Sequence, residues 1–396
     1  MSKLKYLKIS DIIAPFIFIL VFPISLIYKL NLKIKNKKLW LVCEDGNTAR
    51  DNGYYFYKYL KKEHPNDLCF YVIDKKSSDY NKVMPYGNII SYKLFKHWLY
   101  YLSASKNISN HKHGNPCQSF FYLIHVVFKF YNNRIFLQHG VIKDNLPFVY
   151  YKKARFRLFI CSALKEYEYV KNNFGYPKGY VVNTGIARFD NLNNISINNK
   201  QILIMPTWRN WFGGNTKFSR NSELFQKTEF YKKWNELIND SELINFCYQN
   251  NLIIYFYPHQ HMQKFLHTFK SKSENIKIVD NKEKDIQYLL KSSALLVTDY
   301  SSVFMDFGYM NKPVLYYQFD ESEFREKHLQ KGYFDYREDG FGEVIIDKDI
   351  LVKKIISMVN NHYKDSKIYE KRRLNFFEFR DDNNCKRIYN KIKEIE

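Results

Sequence analysis

Residues Ile12 to Ile27 (IIAPFIFILVFPISLI) form an apolar run broken only by Pro15, Pro23 and Ser25. A spanning helix takes about 20 apolar residues; this run is shorter and holds two prolines. Lys29, Lys33, Lys35, Lys37 and Lys38 follow at once, a pattern that favours the cytoplasmic face of an anionic membrane. No small-residue cleavage site follows Ile27, which speaks against a removed signal peptide. The pattern predicts a kinked membrane-associating segment over residues 1–38 that dips into the bilayer and leaves the rest of the chain in the cytosol; a membrane span and a buried core helix are the alternatives.

From Leu39 the pattern changes. Short apolar runs alternate with helical stretches: 39–43 (LWLVC), 68–74 (LCFYVID), 106–110, 134–138 (RIFLQ), 157–162 and 180–185 read as strands. Helical patterns lie around 54–62, 92–105, 117–130 and up to Asn173. A polar stretch, 191–200 (NLNNISINNK), reads as a linker. A second series of strands follows at 202–206, 252–258, 276–280, 294–299 and 313–319, and the chain after Asp349 reads as helical. Apolar runs of this length separated by helices predict parallel sheets covered on both faces. The expected organisation is α/β: an N-terminal Rossmann-like domain over 39–195, a second over 196–375 facing it across a cleft, and a C-terminal helix over 376–396.

Composition narrows the partners. The chain of 396 residues carries 62 Lys and Arg against 40 Asp and Glu, a net charge of +22. Polyanions follow as partners: nucleic acid, an anionic membrane surface or a phosphate-rich substrate. No basic helix or nucleic-acid-binding motif is present, so nucleic acid is not expected. The six cysteines are scattered singly with no CxxC, so they read as free thiols and not as zinc ligands. No P-loop, no GxGxxG after a strand, no HExxH and no paired carboxylates of the DxD type occur. His111, Lys112 and His113 cluster, but two histidines without a third ligand do not make a metal site.

Ligands of open α/β sheets bind at the carboxyl ends of the strands. Five strand ends carry hydroxyl, cationic or imidazole groups: His139, Gly140 and Lys143; Arg188 and Asp190; Thr207, Trp208 and Arg209; His259 and His261; Ser301, Ser302 and Asp306. Gly140 would let a ligand approach the backbone. The serines could cap a helix or hold an anion at its N-terminus, and Arg188 could pair with Asp190. Such a set suits a phosphate-bearing ligand.

Seven segments stand in the order of one family: ARDNGYYFYKYL (49–60), LQHGVIKD (137–144), NTGIARFD (183–190), MPTWRNWF (205–212), YPHQHM (257–262), VTDYSSVFMDFGYMNKPVLYY (297–317) and KGYFDYREDGFGEV (331–344). With them the chain resembles the CDP-glycerol:poly(glycerophosphate) glycerophosphotransferase family, of the teichoic-acid polymerase and primase type, from Trp40 onward. The resemblance implies a GT-B-like fold and a membrane-associating N-terminal part. It implies transfer of glycerol phosphate from CDP-glycerol to a hydroxyl of a teichoic-acid-like or capsular glycan, with CMP released and no metal or other cofactor. CDP-ribitol is the alternative donor, and a nucleotide-sugar glycosyltransferase the alternative enzyme. The implied partners are the CDP-polyol, a lipid-linked glycan or polyol-phosphate acceptor, and the anionic cytoplasmic membrane surface. His139 matches the family's HG histidine, implied to activate the acceptor. Lys143 and Arg188 match positive positions near the diphosphate, and Thr207 and Arg209 the PTWR element. His259 matches the second histidine, near the donor phosphates. Ser301 and Ser302 match the serine pair, and Asp306 the carboxylate that follows it. Gln260 stands where the family often has proline.

Overall fold

The computed structural model describes residues 8–112, 114–129, 133–213, 216–280 and 282–395. Residues 1–7 of the expected membrane segment, and His113, lie outside them. Two compact units divide the chain. The first takes in the chain up to Val141, Pro147–Asn191 and everything from Glu378 onward; the second takes in Ile142–Leu146 and Leu192–Phe377. The last helix, Asn384–Lys393, is thus part of the first unit and does not stand apart.

In the first unit the strands are β1 (Trp40–Cys43), β2 (Cys69–Ile73), β3 (Ile89–Ser91), β4 (Lys106–Ser109), β5 (Arg134–Phe136), β6 (Leu158–Cys161) and β7 (Val181–Asn183). They pair in parallel in the order β3-β2-β1-β4-β5-β6-β7. β1 is buried along its whole length, as a continuous apolar strand covered on both faces must be. The order reverses between β1 and β4, and the loops leaving these two strands flank the position where such sheets bind ligands.

The N-terminal apolar run is one helix, Ile9–Ile34, continuous through Pro15 and Pro23. It is not free-standing. Ala14, Val21, Ser25 and Leu32, spaced on one helical face, are buried against Trp98, Tyr101 and Phe121. Phe18 meets Phe120 at 5.3 Å, and Tyr28 stacks on Tyr100 at 5.4 Å. The opposite face exposes Ile12, Phe16, Ile19, Leu20 and Ile27. By length and composition the helix could cross a membrane. The expected helix over 117–130 is a short α-helix, Gln118–Tyr122, that widens into a π-turn, Leu123–Val127.

In the second unit the strands are β8 (Asn198–Met205), β9 (Ile253–Phe256), β10 (Ile276–Ile278), β11 (Ser293–Thr298), β12 (Val314–Tyr317) and β13 (Val344–Ile345). They too are parallel, in the order β10-β9-β8-β11-β12-β13. Ile202, Ile204, Trp234, Phe256, Leu295 and Val297 belong to its core. β8 begins inside the stretch that reads as a linker, because its first three residues are exposed and polar while the rest is buried. All six cysteines are free and buried. Two Rossmann-like units in one chain make the GT-B-like α/β class expected from the sequence.

Candidate active site

The turn after β5 is built to display His139. Gln138, just before it, adopts the left-handed conformation with φ 62°, which costs an L-residue about 1–2 kcal/mol. Its side-chain amide is held by the Ile160 carbonyl and, at 3.0 Å, by Glu166, and its own carbonyl accepts from Asn52 Nδ2 at 2.8 Å. The chain therefore turns sharply and leaves the His139 side chain 63% exposed. Gly140 follows, partly buried.

Beneath His139 lies Asp51, which the sequence reading did not single out. It is the N-cap of the helix Asn52–Glu63, directly after the β1 turn. Its Oδ1 accepts from Asn52 N at 2.8 Å and from Arg188 Nη1 at 2.8 Å. Its Oδ2 accepts from Asn110 Nδ2 at 2.7 Å and from His139 Nδ1. Arg188 also donates to the His139 carbonyl at 2.6 Å, and its backbone N–H donates to Asn52 Oδ1 at 2.9 Å. Arg188 therefore belongs to Asp51 and not to Asp190, whose carboxylate accepts instead from Asn384 and Cys385.

The turn itself is anchored by Glu44. Its carboxylate accepts from the backbone N–H groups of Asp51 at 2.9 Å, Tyr54 at 3.0 Å and Arg50 at 3.2 Å. A Cβ on Gly53 would stand 2.8 Å from Glu44 Cγ, so only glycine lets the helix approach this close. A helix N-terminus at a Rossmann switch point commonly holds a ligand phosphate; here the protein's own carboxyl fills that place. Burial, and then the Asp51 charge, push the Glu44 carboxyl up to about 8.

Electrostatics follow from these contacts. Burial opposes the charge on Asp51, but His139 and Arg188 hold its carboxyl well below the usual carboxylate range. Desolvation of the inner edge of the His139 ring opposes the imidazolium, and the Asp51 carboxylate outweighs it, so the His139 pKa is raised. A carboxylate can only accept, so Nδ1 carries the proton and the lone pair falls to Nε2. This is the arrangement of a general base aimed by a carboxylate.

His111, in the loop after β4, completes the group. Its ring lies 4.9 Å from that of His139, and one donor atom each from Asp51, His111 and His139 lie within 4.8 Å of one another. A cation could use such spacing. Yet both Asp51 oxygens already accept two hydrogen bonds each, and the Arg188 guanidinium rests on the carboxylate. An ion would have to displace one of these donors and stand beside a fixed positive charge.

The second unit gathers other expected residues at the ends of β8 and β11. Thr207 N donates to Asp299 Oδ1 at 2.8 Å. Arg209 is fully buried, forked onto Asp320 at 2.8 and 2.9 Å and paired with Asp299 at 2.8 Å. The guanidinium is enclosed by the protein's own carboxylates and holds the loop. Lys143 is likewise buried and paired with Asp144, which Arg325 binds at 2.6 Å. Burial lowers the Lys143 pKa, with Asp144 opposing. Ser301 and Ser302 precede the short helix Phe304–Tyr309, whose N-cap is Val303 without a side-chain bond. Asp306 is fully buried in that helix, not a solvated carboxylate. His259 opens the 3₁₀ stretch Gln260–Thr268, accepting from His261 N at 3.3 Å, with its ring 6.2 Å from Trp208.

The chain is similar to known proteins along nearly its whole length. Residues 24–394 match the family model described as CDP-Glycerol:Poly(glycerophosphate) glycerophosphotransferase. The chain is 36% identical over 371 residues to the minor teichoic acid biosynthesis protein GgaB of Bacillus subtilis (strain 168), which takes in 91% of this chain and 40% of that protein. It is 23% identical over 376 residues to a teichoic acid glycerol-phosphate transferase of Staphylococcus aureus (strain NCTC 8325 / PS 47), covering 86% of this chain and 89% of that one. A solved structure of the wall teichoic acid polymerase TagF, soaked with CDPG, aligns with a TM-score of 0.65 at 18% identity over 93% of this chain and 96% of that one. The chain thus spans less than half the length of GgaB.

Proposed function

Because the chain belongs to the CDP-glycerol:poly(glycerophosphate) glycerophosphotransferase family, we propose that it transfers glycerol phosphate from CDP-glycerol to a hydroxyl of a teichoic-acid-like or capsular glycan. The observation that carries this reading is His139, displayed on a strained turn with its Nδ1 proton held by Asp51. Nε2 accepts the proton of the acceptor hydroxyl. The hydroxyl oxygen bonds to the β-phosphorus of the donor as the bond from that phosphorus to the bridging oxygen breaks, and CMP leaves. Asp51 stabilises the imidazolium so formed, and Arg188 keeps Asp51 ionised and in place. The family match suggests that Thr207, His259, Ser301 and Ser302 serve the donor phosphates, where hydrogen-bond donors stabilise the spreading negative charge. Arg209, Lys143 and Asp306 support that unit from within. The reading uses no metal, since proton removal falls to His139 and charge stabilisation to these side chains.

The exposed apolar face of the helix Ile9–Ile34, with Lys29 and Lys33 near its end and Lys35, Lys37 and Lys38 after it, supports attachment to the cytoplasmic face of an anionic membrane, with an acceptor carried on lipid. Product analysis tests the whole reading. The protein is incubated with CDP-glycerol, CDP-ribitol or UDP-sugars and with candidate acceptors, and CMP is measured beside the product. CMP release that requires CDP-glycerol and an acceptor hydroxyl is expected. UDP release with sugar transfer would overturn it.

A further inference from the structure

Four donors converge on the buried Glu44 carboxyl. Its Oε1 accepts from the backbone N–H groups of Asp51 and Tyr54, and its Oε2 from Arg50 N at 3.2 Å and from the Thr48 hydroxyl at 3.1 Å. The Thr48 hydroxyl has a second acceptor within reach, Asp45 Oδ1 at 2.9 Å. A hydroxyl owns one proton and accepts on its lone pairs. When that proton points at Asp45, Thr48 Oγ1 is left to accept, and a proton on Glu44 Oε2 donates to it. The three backbone donors keep their acceptors in that state. Glu44 can therefore hold a proton without leaving a buried polar group unpaired. The chain from Glu44 through Thr48 to Asp45 leads from a fully buried carboxyl to a partly exposed one.

Charge favours the protonated state. Asp51 is kept ionised by His139 and Arg188, and its charge adds to burial in holding the Glu44 proton, up to about 8. Around Glu44 stand Cys43 and Tyr71, both kept neutral by burial, and the Asp45 carboxyl. Arg50 gives its side chain to Asp79 at 2.7 Å, and His139, His111 and Arg188 act on Asp51. The coupling is reciprocal. An ionised Glu44 adds a second negative charge beside Asp51 and His139. That charge opposes the negative charge that spreads over the phosphoryl oxygens in the transition state. We propose that Glu44 is a positioning residue of the reaction: as the neutral acid it fixes the start of the helix Asn52–Glu63 so that Asp51 aims His139, and its ionisation withdraws that support. The proposal rests on the reading of His139 as the base.

Two measurements on the full chain test it. The first follows the His139 ring by NMR against pH, with isotope-labelled histidine. Wild type should show the ring's own titration and a further inflection near the Glu44 value, about 8. Glu44→Gln, whose amide imitates the neutral acid and can donate to Thr48, should lose that inflection. Asp51→Asn, which removes the charge that helps to hold the proton, should move it to lower pH. This variant decides the matter if the melting temperature shows that Glu44→Gln does not fold.

The second is the pH profile of CMP release from CDP-glycerol. Wild-type turnover should fall as pH rises through about 8, and this alkaline limb should flatten in Glu44→Gln. At neutral pH Glu44→Gln should lose about tenfold or less, because it gives up one of four hydrogen bonds. Glu44→Asp keeps the acid but is a methylene too short for the same N–H groups, and should lose about 10²-fold. A uniform drop in Glu44→Gln, with the alkaline limb and the His139 inflection unmoved, makes Glu44 a purely structural residue and overturns the proposal. An inflection that neither variant moves overturns it as well. If the inflection responds as expected but CDP-glycerol yields no CMP, the placement of Glu44 stands and the proposed reaction falls. If CMP is released and His139→Ala turns over normally, the reading of His139 as the base falls and this proposal falls with it.

Discussion

The Asp51 carboxylate receives the Nδ1 proton of His139, and Arg188 holds the same carboxylate from its other oxygen. Neither neighbour is near Asp51 in sequence; the fold joins the ends of β1, β5 and β7 at one carboxylate. The consequence is an imidazole whose tautomer is set and whose pKa is raised.

Asp51→Asn therefore should reduce turnover by about 10²-fold or more, since a misaimed base loses most of what general-base catalysis supplies. The pH profile carries the sign. In wild type the ring is protonated below its raised pKa, so activity is lost as pH falls through that value. Without the carboxylate the pKa drops, and the acidic limb should move to lower pH while the plateau falls. A plateau that falls with the limb unmoved would separate Asp51 from the titration. The same pair stabilises the fold below the ordinary imidazole pKa and loses that contribution as pH rises through the raised one. Wild type should thus lose part of its stability advantage over Asp51→Asn on going from pH 6 to alkaline pH, as read by thermal unfolding.

His139→Ala and His259→Ala should separate in a binding assay. The first should lower turnover by about 10²–10⁴-fold and leave CDP-glycerol binding close to wild type by calorimetry. The second should weaken donor binding, because His259 stands at the strand end assigned to the donor phosphates. If His139→Ala abolishes donor binding and His259→Ala does not, the two histidines exchange roles.

Two α/β units, their strands and the turn at His139 could be read directly, because buried parallel strands are short apolar runs and ligand sites follow their ends. β3 and β13, three and two residues long, gave too little pattern to find. Asp51 was missed although the segment that holds it was singled out: an aspartate before a helix reads as an N-cap, and here it is one. Its second role depends on β1 and β5 standing on the same sheet, which spacing alone does not reveal. Asp299 and Asp320 were missed for a similar reason. Each follows a buried strand, and the fully buried cation they share, Arg209, read as a surface or ligand-facing arginine between two tryptophans. A polar residue's burial is a property of the tertiary fold and leaves no local signal.

Arg209→Ala should destabilise the protein and not merely slow it. Removing the guanidinium leaves two buried carboxylates facing each other without a counter-charge, a loss of about 3–5 kcal/mol. Arg209→Lys keeps the charge but cannot form the fork on Asp320, so an intermediate loss is expected. Urea unfolding measures both. If Arg209→Ala unfolds at the wild-type midpoint but no longer binds CDP-glycerol, the arginine faces the donor after all.

The docked N-terminal helix changes what a membrane test must look like. Removing residues 1–38 would uncover Trp98, Tyr101 and Phe121, which the helix covers from Ala14, Val21 and Leu32, so a truncated protein should melt at lower temperature whether or not it leaves the membrane. Substitutions on the outer face avoid this. Ile19, Leu20 and Ile27 are 66%, 71% and 71% exposed and touch little of the unit beneath. Ile19→Asp, Leu20→Asp and Ile27→Asp together place charge where an apolar face would meet lipid, each costing up to about 3 kcal/mol at full depth and less near the surface. The triple variant should keep the wild-type melting temperature and lose co-sedimentation with vesicles that contain anionic lipid. Val21→Asp, on the buried face, should do the opposite: it should lower the melting temperature because it buries an unpaired carboxylate. Raising the salt concentration should weaken the wild-type interaction only in part, since the lysines after Ile27 act through screened charge while the apolar face does not. Co-sedimentation of the triple variant at wild-type levels would assign membrane attachment to a part of the chain other than this helix.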